Sequence, residues 1–356
     1  MILLPTILAQ MVARGGSDLH VSVGVPPKSR ISGSLENLAD SPITEEEMKG
    51  FLKLALSGDQ LRGLVQNCDM DGLYFDPKIG RFRVNAFKQL GSYSMVLRHI
   101  PTKIASIDDL KLPQVLKDLA LSERGIVLVT GTTGSGKSTS LAAMINHINV
   151  TKSSNIITIE DPVEFVHASK KSIIRQRNLG TDVGSFALAL KFAMRQDPDV
   201  ILVGEMRDFE TIQSAVTAAD TGHLVFSTLH TTNAQQTMER ILNFYPGDQQ
   251  DQIRLNLSLN IQGVLSQRLL RKSDGKGRVA AIEIMLGTPT VRKLIREGRV
   301  PALYEVIEEG RSDGMQSFNQ VIYDLFADEL IDLDVALSAS SRPDELRLKL
   351  KMDGLI

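Results

Sequence analysis

The stretch GIVLVTGTTGSGKSTS, residues 125–140, predicts the fold of the larger part of this 356-residue chain. Its apolar run 126–129 is typical of a buried strand, and a glycine-rich turn and the start of a helix follow. Gly131, Gly136, Lys137 and Ser138 have the spacing G-x-x-x-x-G-K-[ST] of a phosphate-binding loop. We therefore expect a strand–loop–helix unit that binds a nucleoside triphosphate.

The residue types of this loop suit a polyphosphate. Glycines let the loop fold back, so that backbone N–H groups and the positive end of the helix dipole face the phosphates. The Lys137 ammonium can reach the β- and γ-phosphates, and the Ser138 hydroxyl can bind magnesium. The predicted nucleotide-binding residues are Gly131, Thr132, Thr133, Gly134, Ser135, Gly136, Lys137, Ser138 and Thr139.

The chain around and beyond this loop alternates strands with helices, which predicts a parallel sheet. The predicted strands are the apolar runs 126–129, 156–159, 200–203 and 224–226. In open α/β sheets, ligands bind at the carboxyl ends of the strands. The phosphate loop, the acidic pair Glu160 and Asp161, Glu205 and His230 each follow one of these runs, so we expect them around one site.

Phosphoryl transfer requires positioning and charge stabilisation by the protein, and these residues can supply both. Glu205 can bind magnesium through water or orient the attacking water. Glu160, Asp161 and Glu164 form a second acidic group that can hold magnesium or water, although some of them can instead cap the following segment. His230 can donate to the γ-phosphate, whereas His223 precedes the fourth strand and should lie at its opposite end.

The first 100 residues predict an α+β domain. We expect a helix over 7–13, a strand from 19 to 23, a strand over 29–35, and a helix from about 45 to 56 that begins with the capping box of Thr44 and Glu47. Further strands are expected over 73–75, 81–87 and 93–100, and a polar, proline-bounded linker over 101–113.

Beyond residue 248 the pattern indicates helices. An apolar helical stripe is formed by Ile253, Leu257, Ile261, Val264, Leu265 and Leu269. The turn 273–277 before a strand over 279–285 predicts a hairpin, and helices are expected over 290–297, 303–309, 318–326 and 343–350.

Composition narrows the possible function classes. A net charge of −2 and 5% aromatic residues give no support for nucleic-acid binding, so we expect no nucleic-acid partner. One cysteine excludes an intramolecular disulfide and a tetracysteine zinc module. No apolar run approaches the ~20 residues that span a bilayer, and the apolar start lacks a basic segment and a cleavage site. We expect a cytoplasmic protein.

Arg83 and Arg98 lie in the predicted first domain, away from the phosphate loop in sequence. On a strand, Arg81 and Arg83 share one face, which is ordinarily a solvated one. In a ring, however, a neighbour's arginines can stabilise the charge of the transition state.

Together the motifs resemble the secretion ATPases of type IV pilus systems, and among them the retraction (twitching-motility) branch of PilT and PilU. Four motifs match in order: GTTGSGKST at 131–139, IITIEDPVEF at 156–165, RQDPDVILVGEMRD at 195–208 and TGHLVFSTLHT at 221–231. RGGSDLHVS at 14–22, RFRVNAF at 81–87 and GMQSFNQ at 314–320 extend the resemblance over nearly the whole chain.

The resemblance implies an N-terminal PAS-like domain over 1–100, the linker 101–113, and a RecA-like ATPase domain with a C-terminal helical region over 114–356. It implies a homohexamer at the cytoplasmic face of the inner membrane that hydrolyses ATP with Mg²⁺ to disassemble a pilus. The implied partners are the inner-membrane pilus platform protein and a paralogous retraction ATPase. By position, Lys137 and Ser138 bind phosphate and magnesium, Glu205 and Glu164 are catalytic, His230 senses the γ-phosphate, and Arg83 and Arg98 contact nucleotide.

The resemblance leaves the role within the branch open. Segment 290–297 keeps Arg292, Leu294, Ile295, Arg296 and Glu297 of a motif tied to retraction, but its start differs. Other stretches favour the accessory member, so an ATP-binding ring subunit that supports a partner motor is the alternative. Pilus-assembly and type II secretion ATPases fit less well, because they usually carry the tetracysteine module.

Overall fold

The computed structural model describes residues 2–31, 34–100 and 104–356, and the chain forms two compact units. The first comprises Met1–Lys103 with Glu164–Val166, and the second comprises Ile104–Val163 with His167–Ile356. Of the predicted linker, residues 101–103 lie outside the described residues. Residues 104–113 belong to the second unit, where Ile107 and Leu112 are buried in the core.

The first unit combines helices with an antiparallel sheet. Its elements are α1 (Leu4–Ala13), β1 (Gly16–Ser22), β2 (Lys28–Ile31), β3 (Ser34–Asn37), α2 (Glu45–Ala55), α3 (Gly58–Asn67), β4 (Asp69–Asp76), β5 (Gly80–Gln89) and β6 (Ser92–Ile100). The strand order is β3-β2-β1-β6-β5-β4, with antiparallel pairing between all neighbours. The predicted α+β class is confirmed.

Alternation along β5 explains how this sheet packs. Phe82, Val84 and Ala86 are buried in the core of the unit, while Arg81 and Arg83 are exposed on the other face, as predicted. The capping box of Thr44 and Glu47 is also present at the start of α2.

In the first unit, one predicted strand was wrong and one helix was not predicted. Instead of one strand over 29–35, β2 and β3 pair antiparallel with Lys28 opposite Asn37, and residues 32 and 33 between them lie outside the described residues. Helix α3 was not predicted, although Ser57 and Gln60 form a capping box at its start.

The second unit is an α/β layer structure. It begins with α4 (Val115–Ala120), β7 (Gly125–Thr130), α5 (Lys137–Thr151), β8 (Asn155–Glu160), β9 (Ile173–Asn178), α6 (Phe186–Ala193), β10 (Val200–Val203), α7 (Phe209–Asp220), β11 (Leu224–Leu229) and α8 (Ala234–Leu242). It continues with α9 (Gln250–Asn260), β12 (Ile261–Arg271), β13 (Arg278–Leu286), α10 (Pro289–Arg296), α11 (Leu303–Glu309), α12 (Phe318–Ala327), α13 (Leu333–Ala339) and α14 (Pro343–Met352).

Its sheet has the order β13-β12-β7-β11-β10-β8-β9. Neighbouring strands are parallel except β12 and β13, so the predicted parallel sheet is confirmed. Both faces are covered: along β7, Ile126 and Leu128 belong to one apolar cluster, while Val127 and Val129 belong to the other. Burial on both faces explains why these strands are continuous apolar runs.

The predicted helical stripe is wrong beyond residue 260. Helix α9 ends at Asn260, and β12 follows at once, parallel to β7 and antiparallel to β13. Because β12 is buried on both faces over most of its length, its apolar residues carry no period-2 pattern that distinguishes a strand from a buried helix. The predicted hairpin is confirmed.

Candidate functional site

The phosphate loop connects β7 to α5, as its motif predicts. Gly131, Gly134 and Gly136 have φ angles of 142°, 77° and 90°, which residues other than glycine rarely adopt. A Cβ atom at Gly131 would lie 2.4 Å from the backbone carbonyl oxygen of Gln267. A Cβ atom at Gly136 would lie 2.6 Å from the side-chain nitrogen Nε2 of the same residue. Gln267, on β12, therefore restricts both ends of the loop.

Polar groups of the loop turn inward. Lys137 is only 9% exposed, and its Nζ donates to the carbonyl oxygens of Gly131 (2.7 Å) and Thr132 (3.0 Å). The hydroxyl of Ser135 is buried and has no hydrogen-bond partner among the described residues. A buried hydroxyl beside a lysine and the N-terminus of α5 is suited to donate to an oxygen of a phosphate chain.

Strand order brings Glu205 and His230 together. Since β11 lies between β7 and β10, the residue that follows β11 is placed between the phosphate loop and the residues that follow β10. His230 Nε2 lies 3.3 Å from Glu205 Oε2, and the Glu205 side chain is 13% exposed. The Thr228 hydroxyl donates to the carbonyl of Gly204 (2.7 Å), which ties the two strand ends together.

Arg207 also belongs to this cluster, although its sequence pattern did not predict it as a site residue. Its guanidinium pairs with Glu205 through Nε, and its Nη1 lies 3.9 Å from Asp161 Oδ2. Its sequence signal is its place in the motif at 195–208, two residues after the acidic residue that follows β10. Glu205 is therefore shared between Arg207 and His230, and Arg207 also connects it to the end of β8.

The electrostatics of the site favour a neutral His230. Partial burial, with the positive charges of Lys137 and Arg207, lowers the pKa of His230 below its ordinary value of 6.5. At neutral pH the imidazole then has one N–H donor and one acceptor nitrogen. His223 lies at the opposite end of β11, as expected, where its Nδ1 is 2.8 Å from the carbonyl oxygen of Ala218.

The three residues of the second acidic group, Glu160, Asp161 and Glu164, lie in different surroundings. Glu160 is hydrogen-bonded by the Thr158 hydroxyl (2.6 Å) and by Gln176 Nε2 (3.2 Å). Asp161 is the member that joins the Glu205 cluster through Arg207. Glu164 falls in the first unit, so a role for it at the phosphate loop stays a prediction.

Arg83 and Arg98 are cross-strand neighbours on β5 and β6 of the first unit. They line a cavity of about 260 Å³ together with Asp18, Asp71, Asn85 and Val96. Arg98 Nε donates to Asp18 Oδ1 (2.7 Å), and Arg83 Nη2 lies 3.8 Å from Asp71 Oδ1. Burial acts to raise the pKa of Asp18, but hydrogen bonds from Ser17 and Arg98 bring it below its ordinary value.

Magnesium fits the donor set of the second unit. Ser138 lies in the first turn of α5 beside Lys137, and Glu205 follows β10 at the sheet edge where β7 leads into the phosphate loop. Hydroxyl and carboxylate oxygens are the ligands that magnesium prefers. In the part of the chain that the structure describes, no group of three or more His, Cys, Asp or Glu residues is arranged to hold a metal.

Comparison with known proteins identifies the family of this chain. The family model described as type II/IV secretion system protein matches residues 73–322. The type IV pilus ATPase PilU of Pseudomonas aeruginosa is 42% identical over 97% of this chain and 91% of its own length. The type IV pilus retraction ATPase PilT of the same organism is 44% identical over 95% and 98%. A crystal structure of the pilus retraction motor PilT with bound ADP matches with a TM-score of 0.92 and 44% identity, over 98% of this chain and 99% of that one.

Proposed function

We propose that this chain, which belongs to the type II/IV secretion system protein family, hydrolyses ATP to drive the retraction of a type IV pilus. Its fold, a RecA-like ATPase core preceded by an α+β domain, is that of the PilT structure which it matches. The observation that carries the proposal is the meeting of Lys137, Glu205 and His230 at one edge of a parallel sheet.

The residues suggest the following division of work. The loop N–H groups and Lys137 hold the β- and γ-phosphates, and Glu205 orients a water whose oxygen attacks the γ-phosphorus while the bond to the β–γ bridging oxygen breaks. Magnesium held by Ser138 and Glu205 would offset negative charge on the phosphates. His230 donates its N–H to a γ-phosphate oxygen, and ADP and phosphate leave.

Steady-state phosphate release from the purified full-length chain tests this division. Lys137→Ala should lose turnover together with nucleotide binding, whereas Glu205→Gln should lose turnover and keep nucleotide binding. Glu305→Gln, an exposed residue on α11, is the control and should behave as the wild type. Wild-type turnover in either site variant would remove that residue from the mechanism.

Arginines of the first unit would complete the site in a ring. Both side chains are exposed, Arg83 at 44% and Arg98 at 67%, so they are available to a neighbouring subunit. We propose that the chain assembles as a homohexamer in which Arg83, Arg98 and Glu164 act near a nucleotide. Mixing Arg83→Ala with Glu205→Ala subunits should then restore some complete sites; no recovery at any ratio would contradict sharing.

The accessory role is the second candidate, because this chain is almost as similar to PilU as to PilT. In segment 290–297, the residues kept from the retraction motif include Leu294 and Ile295, which are buried in the core. Arg292 is also kept, and it donates to the carbonyls of Gly287 (2.6 Å) and Ser258 (2.9 Å). Their retention therefore has a structural reason and does not decide between the two roles.

We place the working complex at the pilus base, against the inner-membrane platform protein. None of the helices in the described ranges is both long and apolar enough to cross a membrane. A deletion strain should make surface pili that cannot shorten. If shortening persists and disappears only when a paralogous ATPase is also removed, the accessory role is correct; a strain without pili would contradict both roles.

A further inference from the structure

A buried carboxyl group on β13 lies outside every motif discussed above. Glu283 is 3% exposed, and its Oε1 accepts a hydrogen bond from the backbone N–H of Ala234 (2.8 Å). Burial raises the pKa of this carboxyl group, while the N–H of Phe318 and the hydroxyl of Ser266, two further donor groups beside it, act to lower it. An ionisable group with little access to water and three donors from three different elements is costly to retain for packing alone.

One of these donors leads to the phosphate loop. Ser266 lies directly opposite Glu283 in the β12–β13 pair, and its Oγ accepts a hydrogen bond from the Thr130 hydroxyl (3.0 Å). Thr130 is the last residue of β7 and immediately precedes Gly131. Thr130 thus donates to Ser266, which faces Glu283 across the strand pair, and all three side chains are buried.

A second donor leads to the histidine. Ala234 is the first residue of α8 and follows His230 by four positions, so the hydrogen bond to Glu283 fixes the end of the loop that carries the imidazole. The third donor, Phe318, begins α12. Arg268 of β12 is the charged neighbour of Glu283, and its guanidinium lies 3.7 Å from the centroid of the Phe318 ring.

Glu283 therefore contacts, directly or through one hydroxyl, the last residue before the phosphate loop and the first helix after His230. We propose that Glu283 is a positioning residue which sets the distance between the phosphate loop and His230, and so the geometry of ATP hydrolysis. This inference rests on the proposed ATPase function. Glu283 touches no reacting atom, and it acts through Ser266 and Ala234.

Substitution by glutamine tests the proposal with little change of volume. The amide of Glu283→Gln has one acceptor oxygen instead of two, so the contact with at least one of the three donor groups is weakened. We expect kcat for phosphate release to fall at least tenfold while the affinity for ADP stays within threefold, because misplacement of reacting groups by ~1 Å can cost up to 10²-fold in rate. Burial raises the pKa of Glu283 to about 7, so an ionisation near that pH in the wild-type rate profile should be absent from the variant.

Ser266→Ala provides a second test, because it removes the link to Thr130 and leaves Glu283 in place. It should lower kcat as well, and the two substitutions together should cost less than the product of their separate effects. Wild-type kcat and an unchanged pH profile in folded Glu283→Gln would overturn the proposal; if that variant fails to fold, wild-type kcat in Ser266→Ala overturns it. Hydrogen exchange of the backbone amides at 131–136 and 231–234, compared between each variant and the wild type, gives a readout that needs no turnover. Faster exchange in both segments supports the proposal, and unchanged exchange overturns it, whereas a wild-type protein without turnover contradicts the proposed function instead.

Discussion

Alanine substitutions at two glycines of the phosphate loop should differ sharply in their effect on stability. Gly131 and Gly134 both have positive φ angles, so alanine at either position carries backbone strain of about 1–2 kcal/mol. At Gly134 the new Cβ meets nothing within 4 Å, whereas at Gly131 it lies 2.4 Å from the Gln267 carbonyl and 2.6 Å from the Ser135 hydroxyl. A backbone carbonyl within β12 cannot move away without disturbing the sheet.

Overlap of this kind typically costs about 1–3 kcal/mol beyond the backbone strain. At about 2–4 °C per kcal/mol for a domain of this size, the Tm of Gly131→Ala should lie roughly 2–12 °C below that of Gly134→Ala. The assay is calorimetry of both variants and the wild type without nucleotide, at one protein concentration. Equal Tm values for the two variants would refute the argument that β12 restricts the loop.

Three further predictions concern other parts of the chain. Because the folded pKa of Glu283, about 7, lies above its ordinary value of 4.5, the folded protein binds the proton more tightly and the free energy of unfolding should fall by about 3 kcal/mol as pH rises through that interval. Urea titrations across this range should show that Glu283→Gln loses this part of the pH dependence; an identical slope in both proteins would be evidence against it. Arg207→Ala should raise the pKa of His230, since it removes a nearby positive charge, and NMR titration of the imidazole would reveal a constant pKa if the two groups do not interact. Thr44→Ala should destabilise the first unit by about 1 kcal/mol through loss of its cap, with urea unfolding as the measurement and no change as the contrary result.

Local chemistry explains which parts of the fold were predictable. The phosphate loop, the strands β7, β8, β10 and β11 and the capping box of Thr44 are each specified by residues adjacent in sequence. The placement of His230 beside Glu205 also followed, because the carboxyl ends of parallel strands meet at one sheet edge.

Features set by distant contacts were not predictable. The pattern of strand β12 predicts a helix because burial on both faces removes its alternation, and only pairing with β7 and β13 identifies it as a strand. Arg207 lies within the motif 195–208 but nothing in its spacing singles it out, and Glu283 lies in none of the quoted motifs. Their importance arises from partners that the sheet order brings near, such as Asp161 for Arg207 and Ala234 for Glu283.

The central position of β11 limits how the second unit can rearrange during a catalytic cycle. Hydrogen-bonded on both sides, the strand cannot slide without breaking its pairing to β7 and β10 together. The imidazole of His230 follows this strand and contacts Glu205, so rotation about its side-chain bonds can move it while the strand stays paired. Adjustments between nucleotide states within this unit should therefore be torsional and small, with the backbone ladder preserved throughout.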